Sequence, residues 1–275
     1  MRLATIRRDG GTAAALIDDE SVIVLSARDV AEVLSRGLDD LPSLRTNETL
    51  AVASVAFAPL VPNPRATWCV GLNYAGHAEE TGVPLPDYPT IFSKMATALI
   101  GAHDNIQFPP AEVSEQLDWE AELVVVMGES VRYADEAQAE AAIAGYAVGN
   151  DISVRDWQLR TTQWLLGKTL EASSPVGPWL VTKDEFGSLD GKAITCEVDG
   201  VVVQESDIGD LHFKPAQLVA YISQLASLHP GDLIFTGTPS GVALSREGQP
   251  WLTPGAVIRT HIDGIGDLVN TCVRA

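Results

Sequence analysis

Leu117-Asp118-Trp119-Glu120-Ala121-Glu122-Leu123-Val124-Val125-Val126-Met127-Gly128 is the stretch from which the fold of this chain can be read. Its second half is an apolar, β-branched run, the pattern of a buried strand, and Leu117 to Met127 reads as one such strand. Its first half sets two acids two residues apart. Side chains alternate across a strand, so Glu120 and Glu122 share a face, with Cα atoms roughly 7 Å apart and carboxylates able to converge. Two ionised carboxylates ~4 Å apart repel by a few kcal/mol at an effective dielectric of ~20, so something must offset them. A divalent cation is one compensation. A strand end whose acids are solvated or paired with arginine is the other, and this stretch alone leaves both open.

The rest of the chain sets the bounds. Its 275 residues suffice for one large domain, or for one domain with a small companion, and for a sizeable core. Hydrophobic content of 46% with 20% charged residues is that of a globular protein. The 37 acids against 18 bases give a formal charge of −19, which argues against nucleic acid and anionic membrane as partners. An anionic substrate must therefore meet a local cation. No apolar run reaches the length of a membrane span, and the start Met1-Arg2-Leu3-Ala4-Thr5-Ile6-Arg7-Arg8 lacks the apolar core of a signal peptide. Cys69, Cys196 and Cys272 are scattered and form no CxxC, so reduced thiols in a cytoplasm are expected rather than a zinc ribbon. In that compartment the sequon at Asn47-Glu48-Thr49 carries no weight.

Taken in order, Leu3–Ile6 and Ala13–Ile17 read as a hairpin around Asp9-Gly10-Gly11, Val22–Leu25 as a third strand, and Arg28–Arg36 as a helix. Pro59 to Pro64 reads as a linker, which sets off residues 1–62 as a small N-terminal domain from a main domain over 63–275. Trp68–Gly71 is a strand running into Leu72-Asn73-Tyr74-Ala75-Gly76-His77-Ala78-Glu79-Glu80. On a helical turn His77 and Glu80 lie on one face, where the carboxylate can orient the ring for general-base work; a surface pair without function has the same spacing. Residues 81–89, rich in Gly and Pro, read as a loop, followed by a short strand Ile91–Lys94.

Ala134–Ala144 is expected to be a helix capped by Asp135, and Gly145–Asn150 a strand that ends at Asp151. Asp151 can cap the next turn or supply an oxygen ligand, and Arg155 and Gln158 come one turn later. Lys168 stands among apolar residues, where a lysine needs a partner. Asp199-Gly200 marks a type I′ hairpin. Pro215 opens a helix whose stripe Leu218, Ile222, Leu225 and Leu228 is expected to face the core. Gly237-Thr238-Pro239-Ser240-Gly241 is a turn whose backbone N–H groups can face an anion, or a plain structural turn. Gly264-x-Gly266 lacks the third glycine and following helix of a dinucleotide site.

Glu120, Glu122 and Asp151 together offer three oxygen ligands and no imidazole or thiolate. Such hard ligation suits Mg²⁺, Mn²⁺ or Ca²⁺ rather than zinc or copper. Three carboxylates around a dication leave about one negative charge, which Lys168 offsets. About three coordination positions stay open on an octahedral ion, enough for a substrate whose adjacent carboxylate and keto oxygens chelate it. The ion then acts as a Lewis acid toward an enolate.

The order Gly71-x-Asn73-Tyr74-x-x-His77-x-x-Glu80, Glu120-x-Glu122, Asn150-Asp151-x-Ser153-x-Arg155-Asp156-x-Gln158, Gly167-Lys168, Thr236-Gly237-Thr238-Pro239-x-Gly241 resembles the fumarylacetoacetate hydrolase family, in its acylpyruvase-like and 2-hydroxyhepta-2,4-diene-1,7-dioate isomerase-like branch. The resemblance covers roughly residue 65 to the end. It implies an α+β, mostly β fold, a mixed β-roll of curved sheets with a few helices. It implies Mg²⁺ or Mn²⁺ on Glu120, Glu122 and Asp151, and a His77–Glu80 dyad that activates water. Lys168 is implied beside the developing anion, Arg155, Gln158 and Thr238 at substrate, with Lys94 a looser match there, and a homodimer as the assembly. The expected reaction is metal-dependent hydrolysis of a C–C bond in an acylpyruvate-type β-diketo acid, as in catabolism of aromatic compounds. The alternative on the same site is decarboxylation of an oxaloacetate-like acid or isomerisation of a hydroxydienedioate. A more distant one is a non-catalytic domain pinned by a cation.

Overall fold

The computed structural model describes residues 1–274. The run Ala121–Met127 is a strand buried at every residue. Its side chains divide as alternation requires: Leu123, Val125 and Met127 enter one hydrophobic cluster, Val124 and Val126 another. Around it the main sheet runs, by strand, Arg45–Ala51, Ser21–Leu25, Gly11–Asp18, Arg2–Arg8, Ser174–Thr182, Ile143–Asn150, Ala121–Met127, Leu233–Phe235, Thr67–Gly71, Thr90–Ser93, with Leu99–Ile100 added parallel to Ser174–Thr182. Most pairings are antiparallel; Leu233–Phe235 lies parallel to Thr67–Gly71. A second sheet, Val201–Asp207, Ala193–Val198, Val257–Ile262, Gly266–Arg274 and Ile106–Phe108, covers one face. Ile194, Ile258 and Leu268 from it share a buried cluster with Leu123, Val125 and Val148.

The expected strand from Leu117 is interrupted. Leu117–Asp118 pairs with Ser153–Val154 in a separate two-stranded piece, and Trp119 and Glu120 belong to neither strand. Side chains satisfy the backbone there: Asn150 Oδ1 accepts the Glu120 N–H at 2.9 Å and Gln204 Oε1 the Ala121 N–H at 2.9 Å. The break lets the buried Trp119 indole turn away and donate to the Gly241 carbonyl at 3.1 Å.

Residues 1–62, read from the sequence as a small N-terminal domain, share sheet and core with the rest. Arg2–Arg8 pairs with Ser174–Thr182, and Leu3, Leu25, Val33 and Leu44 lie in the cluster that holds Val124, Val126 and Phe235. The helix is Val30–Arg36, with Asp29 Oδ1 accepting the Glu32 N–H at 2.8 Å. Asp199 and Gly200 both take positive φ, 50° and 78°, as a type I′ turn requires. The helix from Pro215 stops at Ser223, and the stripe expected beyond it fails at Leu225, which is 89% exposed. Once the helical period ends, spacing no longer assigns a face; Leu228 is buried through its bridge to Val131 instead. No helix among the described residues is long and apolar enough to cross a membrane.

The sheet brings one set of ends together. Ile143–Asn150 and Leu233–Phe235 flank Ala121–Met127, each antiparallel to it, and Thr67–Gly71 lies parallel to Leu233–Phe235, so the three run in one direction. Their C-terminal ends therefore meet the start of Ala121–Met127, and each leads into polar residues: His77 and Glu80, Asp151, and Thr236-Gly237-Thr238.

Candidate functional site

At that edge Glu120, Glu122 and Asp151 each place an oxygen within 4.8 Å of the others, and all three are buried. The Asp151 N–H donates to the Glu120 carbonyl at 2.8 Å, which fixes the spacing between the two chain segments. Gly237 N–H donates to Glu122 Oε2 at 2.7 Å, so the glycine-rich turn does meet an anion, one of the chain's own.

Three buried cations surround the acids. Lys168 Nζ lies 2.6 Å from Glu120 Oε2 and 3.1 Å from Asp151 Oδ2. Lys94 Nζ lies 2.7 Å from Asp151 Oδ1 and donates to the carbonyl of Lys168. Arg155 reaches Asp118 Oδ2 with Nε at 2.7 Å, Gln158 Oε1 with a terminal nitrogen at 2.8 Å, and Glu120 Oε1 with the other at 2.7 Å. Burial opposes ionisation of Glu120, but the charges of Lys168 and Arg155, with His77 behind them, bring its carboxyl down to about 2. Burial also pulls the Lys168 ammonium down, and Asp151 and Glu120 outweigh it, holding the group above the ordinary lysine value. Glu122 is different. Burial, then the charges of Asp151 and Glu120, push its carboxyl well above the usual carboxylate range.

Two features of this arrangement fit a hard dication. Glu122 pairs with no lysine or arginine among the described residues, its hydrogen bond coming from a neutral N–H. Asp151 Oδ1 is buried without a hydrogen-bond donor, because Lys94 approaches it at ion-pair distance but off the line of a hydrogen bond. Four buried carboxylates, Asp118 included, face three buried cations, so the carboxylates exceed the cations by one, Glu122, and the donors are oxygen only. Glu120, Glu122 and Asp151 are the residues that would hold the ion.

The dyad forms as the spacing suggests. On the helix Ala75–Thr81, His77 Nδ1 lies 2.7 Å from Glu80 Oε1, and Glu80 Oε2 accepts the Gly241 N–H at 2.9 Å. With Glu80 Oε1 accepting a hydrogen bond from Nδ1–H, Nε2 is left with its lone pair. His77, Thr81, Glu120, Arg155, Gln158, Lys168 and Thr238 line one cavity of about 260 Å³, whose other walls are apolar, with Val70, Phe92, Leu159, Trp164 and Leu244 among them. Phe92 and Trp164 meet edge to face, and Lys168 Nζ stands 5.1 Å from the centre of the Phe92 ring.

Not every expected substrate contact faces that cavity. Lys94 lies behind Asp151 and does not line it. Arg155 lines it, but its guanidinium is spent on Asp118, Glu120 and Gln158. The Thr238 hydroxyl donates to the Ala121 carbonyl at 2.9 Å and accepts from Gln204 at 2.8 Å, so it is tethered on both sides. Asp118, Asn150 and Gln204 are essential to this geometry and were not read from the sequence as site residues. Apart from the Trp119 N–H on Asp118, the partners lie 30 or more positions away, and a spacing pattern cannot reach that far.

The geometry has counterparts. The profile described as fumarylacetoacetate (FAA) hydrolase C-terminal matches residues 66–273. The chain belongs to the fumarylacetoacetate hydrolase family. The family match starts just past the proline-rich segment at 59–64 and spans every site residue named above. A mitochondrial oxaloacetate tautomerase, FAHD2A of Bos taurus, is 42% identical over 223 residues, 80% of this chain and 70% of that protein. The structure of 5-carboxymethyl-2-hydroxymuconate delta-isomerase from Mycobacterium smegmatis matches with TM-score 0.81 at 32% identity, over 100% of this chain and 99% of that one. Fumarylacetoacetate hydrolase from Exiguobacterium antarcticum matches with TM-score 0.86 at 28% identity, over 100% of both. Relatives in the fumarylacetoacetate hydrolase family thus carry the names of tautomerases, isomerases and hydrolases.

Proposed function

We propose that this chain is a metal-dependent isomerase of small 2-oxo acids, interconverting the keto and enol forms of an oxaloacetate-like acid. The observation that carries the reading is a carboxylate-held imidazole, His77, in one small apolar-walled cavity with Glu120 and Lys168. Its volume, about 260 Å³, is below the range usual for drug-sized ligands and suits a compact diacid. The named tautomerase and isomerase relatives support the same direction.

Glu120, Glu122 and Asp151 would hold a dication, which would supply Lewis acidity toward the keto acid when bound. His77 Nε2 removes a proton from the carbon next to the keto group, while Glu80 stabilises the imidazolium and keeps the ring in place. Negative charge then grows on the keto oxygen, and the Lys168 ammonium offsets it. Return of the proton to oxygen completes the tautomerisation, and in reverse His77 gives it back to carbon. The apolar walls keep bulk water from taking over the transfer.

The second reading is C–C hydrolysis of an acylpyruvate. The same dyad can deprotonate a water instead of a carbon acid, and the Exiguobacterium hydrolase favours it. The deciding experiment monitors loss of enol-oxaloacetate absorbance with Mg²⁺ present, and separately assays pyruvate release from acylpyruvates. Faster ketonisation than in buffer, with no pyruvate released, is the expected result. Pyruvate release without tautomerase activity would instead select the hydrolase.

A further inference from the structure

Gly71 ends the strand Thr67–Gly71 and lines the cavity. Its φ lies outside the left-handed region, so space rather than conformation asks for a glycine there. A Cβ on it would stand 2.7 Å from Cζ3 and 3.2 Å from Cη2 of Trp164. The indole, brought in from far along the chain, therefore lies directly on the Gly71 backbone.

Two further contacts fix Trp164. Its ring meets Phe92 edge to face, with centroids 5.4 Å apart. Its carbonyl accepts the N–H groups of Gly167 at 2.9 Å and Lys168 at 3.2 Å, so its main chain starts the turn that carries Lys168. Lys168 Nζ lies on Glu120 and Asp151 at one side and 5.1 Å from the centre of the Phe92 ring at the other. The acids, Lys168, Phe92 and Trp164 thus form a row, with the indole two contacts beyond the ammonium. Val83 and Leu159 also line the cavity, but both are exposed and belong to its rim. Gly71, Phe92 and Trp164 carry no charge, so this end of the cavity discriminates by size.

We propose that Trp164, seated on Gly71, is a specificity-determining residue: it is the wall that limits the carbon chain of the acid, admitting a four-carbon 2-oxo acid and excluding one with two more methylenes. The inference deepens the keto–enol reading and rests on it. With the carboxylate and keto oxygen at the acids, the chain beyond C3 extends along the row toward the indole. Removing the indole lengthens the space available to it.

The test follows exchange of the C3 hydrogens for solvent deuterium by NMR, in D₂O with Mg²⁺, for 2-oxobutanoate and 2-oxohexanoate. In each exchange the C3–H bond breaks, its proton passes to His77 and its electron pair into the enolate, and a deuteron drawn from solvent returns to C3. The unaltered chain is expected to favour the shorter acid in kcat/KM by about tenfold or more. Trp164→Ala is expected to shrink that preference by about tenfold, through a gain on the longer acid, and Trp164→Phe, which keeps a ring against Gly71, to hold it within about threefold. General damage to the site would slow both acids together and leave their ratio unchanged. An unchanged ratio in Trp164→Ala, or an equal preference in the unaltered chain, overturns the proposal while the keto–enol reading stands. So does a Trp164→Phe ratio as low as that of Trp164→Ala. Exchange of neither acid, nor of oxaloacetate, by the unaltered chain overturns the reading and the proposal with it. Should Trp164→Ala not fold, Trp164→Leu, apolar but without the reach of the indole, decides by the same ratio.

Discussion

Gly237 shows how much one backbone position carries. Its φ is +101°, a conformation glycine adopts freely and other residues only with strain, and its N–H holds Glu122. A Cβ there would stand 2.8 Å from the Asn73 Cβ. Asn73 in turn donates to the carbonyls of Thr236 and Phe213 and accepts the Phe213 N–H, so it has nowhere to retreat. Gly237→Ala is expected to cost about 1–3 kcal/mol from strain alone, read as a lower midpoint in urea unfolding. Mg²⁺ affinity should fall with it, because Glu122 loses its anchor. His77→Ala makes the opposite demand: turnover should drop by about 10²–10⁴ while Mg²⁺ titration stays unchanged, since the ring pairs with Glu80 and not with the acids. Equal loss of metal binding would move His77 from base to scaffold. The acids and the dyad were legible in the sequence because two-residue and three-residue spacings map directly onto strand and helix faces. The roles of Lys94 and Asp118 were not, since burial and the identity of a charge partner arise only when distant segments meet.

The element most tightly fitted to the site is the turn Leu165–Lys168, which delivers Lys168 to Glu120 and Asp151. It packs against Arg155–Gln158, and a Cβ on Gly167 would collide with the backbone nitrogen of Gln158, which cannot swing aside as a side chain can. Gly167→Ala is therefore expected to push the two turns apart and draw Lys168 off the acids. The measured result should be a fall in kcat of tenfold or more, together with a lower Tm; wild-type kcat would show that the turn has slack. Elements of this kind test how far a sequence can be read. The hairpin at Asp199-Gly200 and the Asp135-capped helix Glu136–Ala142 were legible because local chemistry decides them. The edge strand Arg45–Ala51 was not, because it is nearly all exposed and polar, with no apolar alternation to show it. A proline-rich segment sets residues 1–62 apart in the sequence; it marks an irregular path but says nothing of which sheet the preceding strands join.

On the scale of the whole molecule, the candidate cation site sits where three strands converge, so its occupancy would bear on global stability. Glu120 and Glu122 flank or lie within Ala121–Met127, Asp151 comes directly after Ile143–Asn150, and Gly237 lies just beyond Leu233–Phe235. Unfolding scatters the three carboxylates and would release a bound ion, so binding would be linked to the folded state. At a hundredfold excess of free ion over its Kd, that linkage stabilises by about 2.7 kcal/mol. For a chain of this size each kcal/mol raises Tm by about 2–4 °C, giving a shift of about 5–10 °C. A formal charge of −19 complicates the measurement, because any salt relieves some of the self-repulsion. The comparison must therefore be made against NaCl at equal ionic strength, and against Glu122→Gln, which removes one ligand while leaving the surface charge nearly unchanged. Mg²⁺ or Mn²⁺ is expected to raise Tm of the unaltered chain by several degrees beyond the salt effect, a chelator to reverse it, and Glu122→Gln to lose the excess entirely. If Mg²⁺, Mn²⁺ and NaCl move both proteins alike, the acids are balanced by Lys94, Lys168 and Arg155 alone, and the converging strands need no ion to hold them.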